Sequence, residues 1–233
     1  MIYITGDCHG QFMHILEFCK EHNTTTNDVL IILGDVGLNY YGENSTRDII
    51  AKKFVSRLPI TLFCIRGNHE FRPTALQDAY ISTYFHGRVI RENKYPNIIY
   101  ALDGVEYLIN DKRCLVIGGA YSVDKYYRLE HGWNWFANEQ LDTTEKRSII
   151  QKLNHSHNKQ FDYVLTHTCP EGYIPREWFL PMVDQSTVDN GMEKFLDDVS
   201  NIIDYKKWYC GHYHGEKTID NVEFLYNSIK EFV

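Results

Sequence analysis

Val29-Leu30-Ile31-Ile32-Leu33-Gly34-Asp35 decides how this chain folds. A short apolar run of this kind reads as a β-strand, Gly34 lets the backbone turn and come close to a neighbour, and Asp35 is left as a lone acid at the strand end. The same arrangement recurs on either side. Residues 2–5 lead to Asp7-Cys8-His9, residues 163–166 to Thr166-His167, and residues 207–210 to Gly211-His212-Tyr213-His214. Residues 60–65 reach Gly67-Asn68-His69-Glu70 with only Arg66 between. Five strand ends, each bearing carboxylate, imidazole or amide, would converge at one sheet edge, where α/β proteins usually build their sites.

Segments of helical spacing separate the early strands. Phe12, Ile15, Leu16 and Cys19 share one face, and Ile49, Ile50, Phe54 and Leu58 share another over residues 45–57. Alternation of strand and helix at this interval implies βαβ crossovers and a parallel sheet. Beyond residue 95 the pattern becomes that of an antiparallel meander: residues 98–102, an Asp103-Gly104 turn, residues 105–109, a turn at Asn110-Asp111-Lys112, then residues 114–117. Helices are expected near residues 143–154 and 191–202, and strands at 216–219 and 222–227 across an Asp220-Asn221 turn. The fold class expected is α/β, with two sheets packed face to face and helices outside. With 233 residues and no linker or repeat, one domain over 1–233 is expected.

Composition narrows the function. Hydrophobic residues at 43% and charged residues at 24% are ordinary globular values. The net charge of −7 gives no general attraction to polyanions, which argues against a nuclease or an anionic-membrane protein. The six cysteines, at 8, 19, 64, 114, 169 and 210, form no C-x-x-C pair and read as reduced, mostly buried thiols. Met1-Ile2-Tyr3-Ile4-Thr5 runs straight into the first ligand motif, so neither a cleavable leader nor a membrane span is expected, and the protein is expected to be soluble and cytoplasmic.

The five segments hold enough oxygen and nitrogen donors for two metal ions. Two divalent ions roughly 3.5–4 Å apart acidify a bound water and clamp phosphoryl oxygens, which is what phosphate-ester hydrolysis near neutral pH requires. One carboxylate has to bridge them, and Asp35 is the natural bridge. Mixed His, Asp and Asn ligands suit Mn, Fe or Zn. A single His-x-His among eleven histidines would mean little, but five segments of the right type at five strand ends form a set. His14, His22, His86, His131, His155 and His157 lack that setting and read as ordinary histidines.

In this order, Asp7-x-His9, Gly34-Asp35, Gly67-Asn68-His69-Glu70, His167 and Gly211-His212-x-His214 resemble the calcineurin-like metallophosphoesterases over nearly the whole chain. The resemblance implies a four-layer αββα sandwich, two mixed β-sheets flanked by helices with the metal site at the strand ends. It implies that Asp7, His9 and His214 hold one ion, that Asn68, His167 and His212 hold the other, and that Asp35 is shared. It also implies that His69 is the general acid for the leaving group and that Glu70 orients its neighbours. Arg66 before Gly67-Asn68-His69-Glu70 is similar to the Ser/Thr phosphoprotein phosphatase branch, whose Gly-Asp motif continues into Asp-Arg-Gly. Here Val36-Gly37-Leu38-Asn39-Tyr40 follows instead, and neither Leu38 nor Asn39 can orient His69 or clamp phosphate. A Ser/Thr protein phosphatase is therefore the lesser alternative, and a substitute cation is sought in Arg66, Lys125 or Arg128.

Residues 118–140 carry Tyr121, Tyr126, Tyr127, Trp133, Trp135 and Phe136, too many rings for a solvated loop. Packing over a sheet end and lining a substrate cleft weigh equally, as they do for Tyr40 and Tyr41; Pro175 to Trp178 forms another rim segment. The rings tilt the expectation toward a small organic or nucleotide-like phosphate ester as substrate, with Tyr121 among its contacts. A non-catalytic metal-binding scaffold for a partner protein is the alternative of another class, and the complete ligand set with His69 argues against it.

Overall fold

In the computed structural model, which describes residues 1–42 and 45–233, strands β1 (Ile2–Thr5), β2 (Val29–Ile32) and β3 (Thr61–Cys64) lie parallel and adjacent, with helices α1 (Met13–His22) and α2 (Thr46–Val55) as their crossovers. The hairpin β4 (Ala79–Tyr84) and β5 (Gly87–Glu92), strand β6 (Ile98–Ala101) and a short C-terminal strand complete a seven-stranded mixed sheet. The second sheet holds six strands: β7 (Val105–Ile109), β8 (Lys112–Ile117), β9 (Gln160–Thr166), β10 (Asp204–Cys210), β11 (Lys217–Ile219) and β12 (Val222–Phe224). The closing strand β13 (Lys230–Glu231) pairs antiparallel with β1 in the first sheet.

Three apolar cores make this a four-layer αββα sandwich. Ile4, Ile31, Phe63 and Ile99 from the first sheet meet Cys114, Val116, Leu165 and Tyr209 from the second in the middle layer. On the outer face of the first sheet, Leu30, Ile32 and Leu62 pack against Ile15, Cys19 and Val55 of α1 and α2. Outside the second sheet, Leu115, Val164 and Trp208 pack against Ile149 and Leu153 of α4 (Thr143–His155) and against Met192, Phe195 and Leu196 of α5 (Gly191–Ile202). Alternation along each strand serves both faces: Leu30 and Ile32 turn outward to the helices while Ile31 turns inward to the other sheet.

Two sequence expectations are corrected. Residues 98–117 are not one meander: β6 pairs with β3 and β5 in the first sheet, while β7 and β8 form a hairpin in the second, so the Asp103-Gly104 turn carries the chain from sheet to sheet. On α2 the buried face is Asp48, Lys52 and Val55, and Ile50 is 62% exposed. Charge pairing explains the shift. Lys52 Nζ lies 2.7 Å from Glu92 Oε1, and Asp48 accepts the backbone N–H of Tyr41 at 2.8 Å, so both buried charges are satisfied. Residues 118–140 contain a short helix, α3 (Lys125–Glu130).

The parallel strands β1, β2 and β3 of one sheet and β9 and β10 of the other all end at the same mouth of the sandwich. No helix among the described residues is long and apolar enough to cross a membrane.

Candidate metal centre

Backbone geometry at the strand ends aims the ligands. His9, Asp35, His212 and His214 all have left-handed backbones, with φ of 47°, 45°, 67° and 50°. Such conformations cost on the order of 1–3 kcal/mol each in a non-glycine residue and persist where surrounding structure enforces them, most often at functional sites. The motif glycines allow close approach. A Cβ on Gly67 would stand 2.0 Å from Asp35 Oδ1, and one on Gly34, whose φ is +104°, would stand 2.1 Å from His167 Nδ1. Glu70 fixes the loops relative to each other, its buried carboxylate accepting the backbone N–H of Val36 at 2.5 Å, Gly37 at 3.2 Å and Gly67 at 3.2 Å. Burial, with Asp35 nearby, raises the pKa of Glu70 to about 7.

Two ligand clusters result. In the first, Asp7 Oδ2 lies 3.3 Å from His214 Nε2 and 3.6 Å from His9 Nε2, and these two nitrogens are 2.9 Å apart. In the second, Asp7, Asp35 and His167 offer converging atoms, with His167 Nε2 at 3.7 Å from Asp35 Oδ2. Asp35 Oδ2 also lies 3.9 Å from His9 Nε2, which places it between the groups. The ring of His212 packs edge-on to His167, centroids 5.0 Å apart.

Proton accounting shows that this donor set fits cations. Asp7 Oδ2 is buried without a hydrogen-bond partner. His167 Nδ1 donates to the carbonyl of Leu33 at 2.7 Å, which leaves Nε2 directed into the site. That nitrogen faces Asn68 Oδ1 at 2.8 Å, because the Asn68 amide nitrogen is turned to Ser122 Oγ at 2.9 Å, itself held by Glu139 at 2.5 Å. Atoms that can each give an electron pair to a metal thus face one another in a buried site, an arrangement a divalent ion would satisfy. Burial opposes ionisation of Asp7 and Asp35, yet the surrounding histidines outweigh it and hold both carboxyls below their usual range. Burial beside His167 lowers the pKa of His212 to about 3, which favours its unprotonated form. Mixed N and O donors of this kind suit Mn, Fe or Zn.

His69 adjoins the clusters without joining them, its Nε2 3.9 Å from Asp35 Oδ2. Burial depresses its pKa, and Arg128 adds to the depression. Arg128, 8% exposed, brings Nη2 within 3.2 Å of His69 Nε2. It is held there by Asp124 Oδ2 at 2.8 Å and by the hydroxyl of Tyr40 at 2.6 Å. Asp124 Oδ1, buried and unpartnered, lies 4.0 Å from the same imidazole nitrogen. Among the substrate contacts expected from sequence, Arg128 and Tyr121 border the site. Arg66 does not: its guanidinium is engaged by Asp103 at 3.1 Å, the Glu139 carbonyl at 2.5 Å and the Gly118 carbonyl at 3.2 Å. Lys125 is also diverted, lying over the Trp135 ring at 4.2 Å and lining neither cleft beside the centre. Trp133 is half exposed and packs on Tyr127.

The family model of the calcineurin-like phosphoesterases matches residues 1–226. The chain belongs to that family. Membership gives it the family's general activity, metal-dependent hydrolysis of phosphoric esters, and agrees with the two mixed sheets and the ligand clusters at their mouth. The sequence did not single out Ser122, Glu139 or Asp124. The one signal for Ser122 is its place just after Gly118-Gly119 at a strand end.

Proposed function

We propose that this chain is a dinuclear phosphoesterase acting on a small organic phosphate ester. Asp7, His9 and His214 would hold one ion, and Asn68, His167 and His212 the other, with Asp35 shared. When bound, the ions would acidify a water and neutralise charge on the phosphoryl oxygens. The protein supplies the rest. Among the described residues, Arg128 is the guanidinium that reaches His69, and it would grip a phosphoryl oxygen in the role that an Asp-Arg-Gly arginine would otherwise fill. His69, held outside the ligand set, would deliver a proton to the departing oxygen, and Asp124 would keep that imidazole and Arg128 in register.

One observation carries the reading: a buried, unpartnered Asp7 oxygen belongs to both ligand groups, with His9 and His214 on one side and Asp35 and His167 on the other. Protein loaded with Mn²⁺, Fe²⁺ or Zn²⁺ should bind close to two ions per chain and hydrolyse p-nitrophenyl phosphate, bis-(p-nitrophenyl) phosphate or a nucleotide ester faster than a phosphopeptide. Failure to turn over any ester with any of these metals rejects the proposal, and a preference for the phosphopeptide restores the protein phosphatase alternative.

A further inference from the structure

Two clefts open onto the metal centre and meet at His69 and Asp35, which line both; both are largely apolar, but guanidinium groups line only the larger. The larger, about 1120 Å³, runs over α1 and α2, with Phe12, Ile50 and Phe54 on an apolar side and Tyr41, Arg47 and Arg128 on a cationic, aromatic one. Its rings stand with cations: the Arg47 guanidinium lies 4.7 Å over the Tyr41 ring, and Tyr40 and Tyr41 meet edge-on at 4.7 Å. Aromatic and guanidinium planes with polar neighbours suit a flat group that carries hydrogen-bonding atoms. The smaller cleft, about 490 Å³, is apolar on its outer wall, formed by Tyr121, Trp178, Leu180, Val183 and Val188. Trp178 is fixed there by packing edge-on to Phe224, and Leu180 is 61% exposed at the rim. The ion pair Asp124–Arg128 stands at the divide, Asp124 lining the smaller cleft and Arg128 the larger.

A phosphomonoester has one arm and fills one cleft. The geometry points to an unsymmetrical phosphodiester as the substrate class, with a planar polar arm, nucleoside-like in chemistry, in the larger cleft and an apolar arm in the smaller. This rests on the phosphoesterase reading above and narrows it. One water is consumed: its oxygen joins phosphorus as the P–O bond to one arm breaks, that arm leaves as an alcohol with a proton, and the other arm keeps the phosphate as a monoester.

The test uses the full chain and two readouts. Metal-loaded protein is assayed on the p-nitrophenyl ester of thymidine 5′-phosphate and on p-nitrophenyl phosphate, and kcat/KM for the diester should exceed that for the monoester at least 10-fold. Separately, binding of thymidine 5′-phenylphosphonate, whose phenyl arm is joined by a P–C bond that water does not cleave, is compared by calorimetry with binding of thymidine 5′-phosphate and of phenylphosphonate, in metal-loaded His69→Asn protein so that the remaining P–O bond is not turned over. The two-armed ligand should bind at least 10-fold more tightly than either fragment. Leu180→Asp, at an exposed position that puts folding at little risk, should shrink that margin at least fivefold, and Arg47→Ala should weaken thymidine-bearing ligands more than phenylphosphonate. A monoester preference in both readouts, or a diester margin untouched by Leu180→Asp and Arg47→Ala alike, overturns the inference while leaving a phosphoesterase in place. If no ester at all is hydrolysed, the function proposed above is rejected, and the calorimetric comparison still decides whether the clefts accept two arms.

Discussion

Arg128 reaches within 3.2 Å of His69 Nε2 with one nitrogen of its guanidinium while Asp124 and Tyr40 hold the others, so its position is fixed before any ligand arrives. A charge-assisted hydrogen bond is worth about 1.5–3 kcal/mol. Arg128→Ala should therefore lower kcat/KM by about 10- to 100-fold, and Arg128→Lys should recover little, because an ammonium cannot meet two oxygens as a planar fork does. Steady-state kinetics with unchanged kcat/KM in Arg128→Ala would remove it from the phosphate site. His69→Asn should depress kcat by roughly 10²- to 10⁴-fold with metal content retained, as expected for a lost proton donor, whereas Asp35→Asn should lose metal and turnover together. Elemental analysis beside the rate assay separates the two. Residue identity made the candidate ligands of the two clusters, Asp7, His9, Asp35, His167 and His214, legible in the sequence, since each is a donor at the end of an apolar run. Side-chain direction was not legible. Arg66, two residues past β3, sits next to the motif and yet points to Asp103, and nothing in the one-dimensional pattern distinguishes that from pointing at phosphate. Asp124 and Arg128 are four apart, the spacing of a helical ion pair, but no helix was expected among so many rings.

At the scale of elements, the parallel strands and crossovers of the first half followed from their periodicity, while strand partnership did not. An Asp-Gly between two apolar runs signals a hairpin, yet β6 and β7 separate into different sheets because β6 completes the edge of β3. The β4–β5 hairpin escaped notice because its exposure alternates irregularly and Ile81 is 64% exposed, which blunts the two-residue signal. Helix α4 begins with a capping box, Asp142 accepting the Glu145 N–H at 2.8 Å and Glu145 accepting that of Asp142 at 2.9 Å. Asp142→Ala should cost about 1 kcal/mol in chemical denaturation. Helix α5 buries Glu193 against Thr168, with one carboxylate oxygen unpartnered, and this burial raises its pKa. A carboxyl whose pKa is raised by folding stabilises the fold fully below its unfolded value, and that contribution is lost as pH rises through the folded value. The melting-temperature advantage of Glu193→Gln over the parent should consequently grow from pH 5 to pH 8; a constant or shrinking difference would contradict the burial argument.

Across the whole molecule, the candidate ligands divide by sheet. Asp7, His9, Asp35 and Asn68 follow strands of the seven-stranded sheet, and His167, His212 and His214 follow strands of the six-stranded one. Family, layer order and the location of the centre were all readable from the five strand-end motifs, because convergence at a common edge is a property of parallel strands in general. The clefts were not, since they depend on where residues 118–140 and 174–190 settle. Chelation should lower the thermal midpoint and added Mn²⁺ should restore it, by about 2.7 kcal/mol at a free concentration one hundred times Kd. Because the candidate donors come from both halves, bound metal would act as a rivet through the open end of the sandwich. In hydrogen–deuterium exchange, loading should slow the amides of the ligand loops on both halves together while the opposite end, around Asn110 and Asp111, keeps its rate: one end clasped, the other free to breathe.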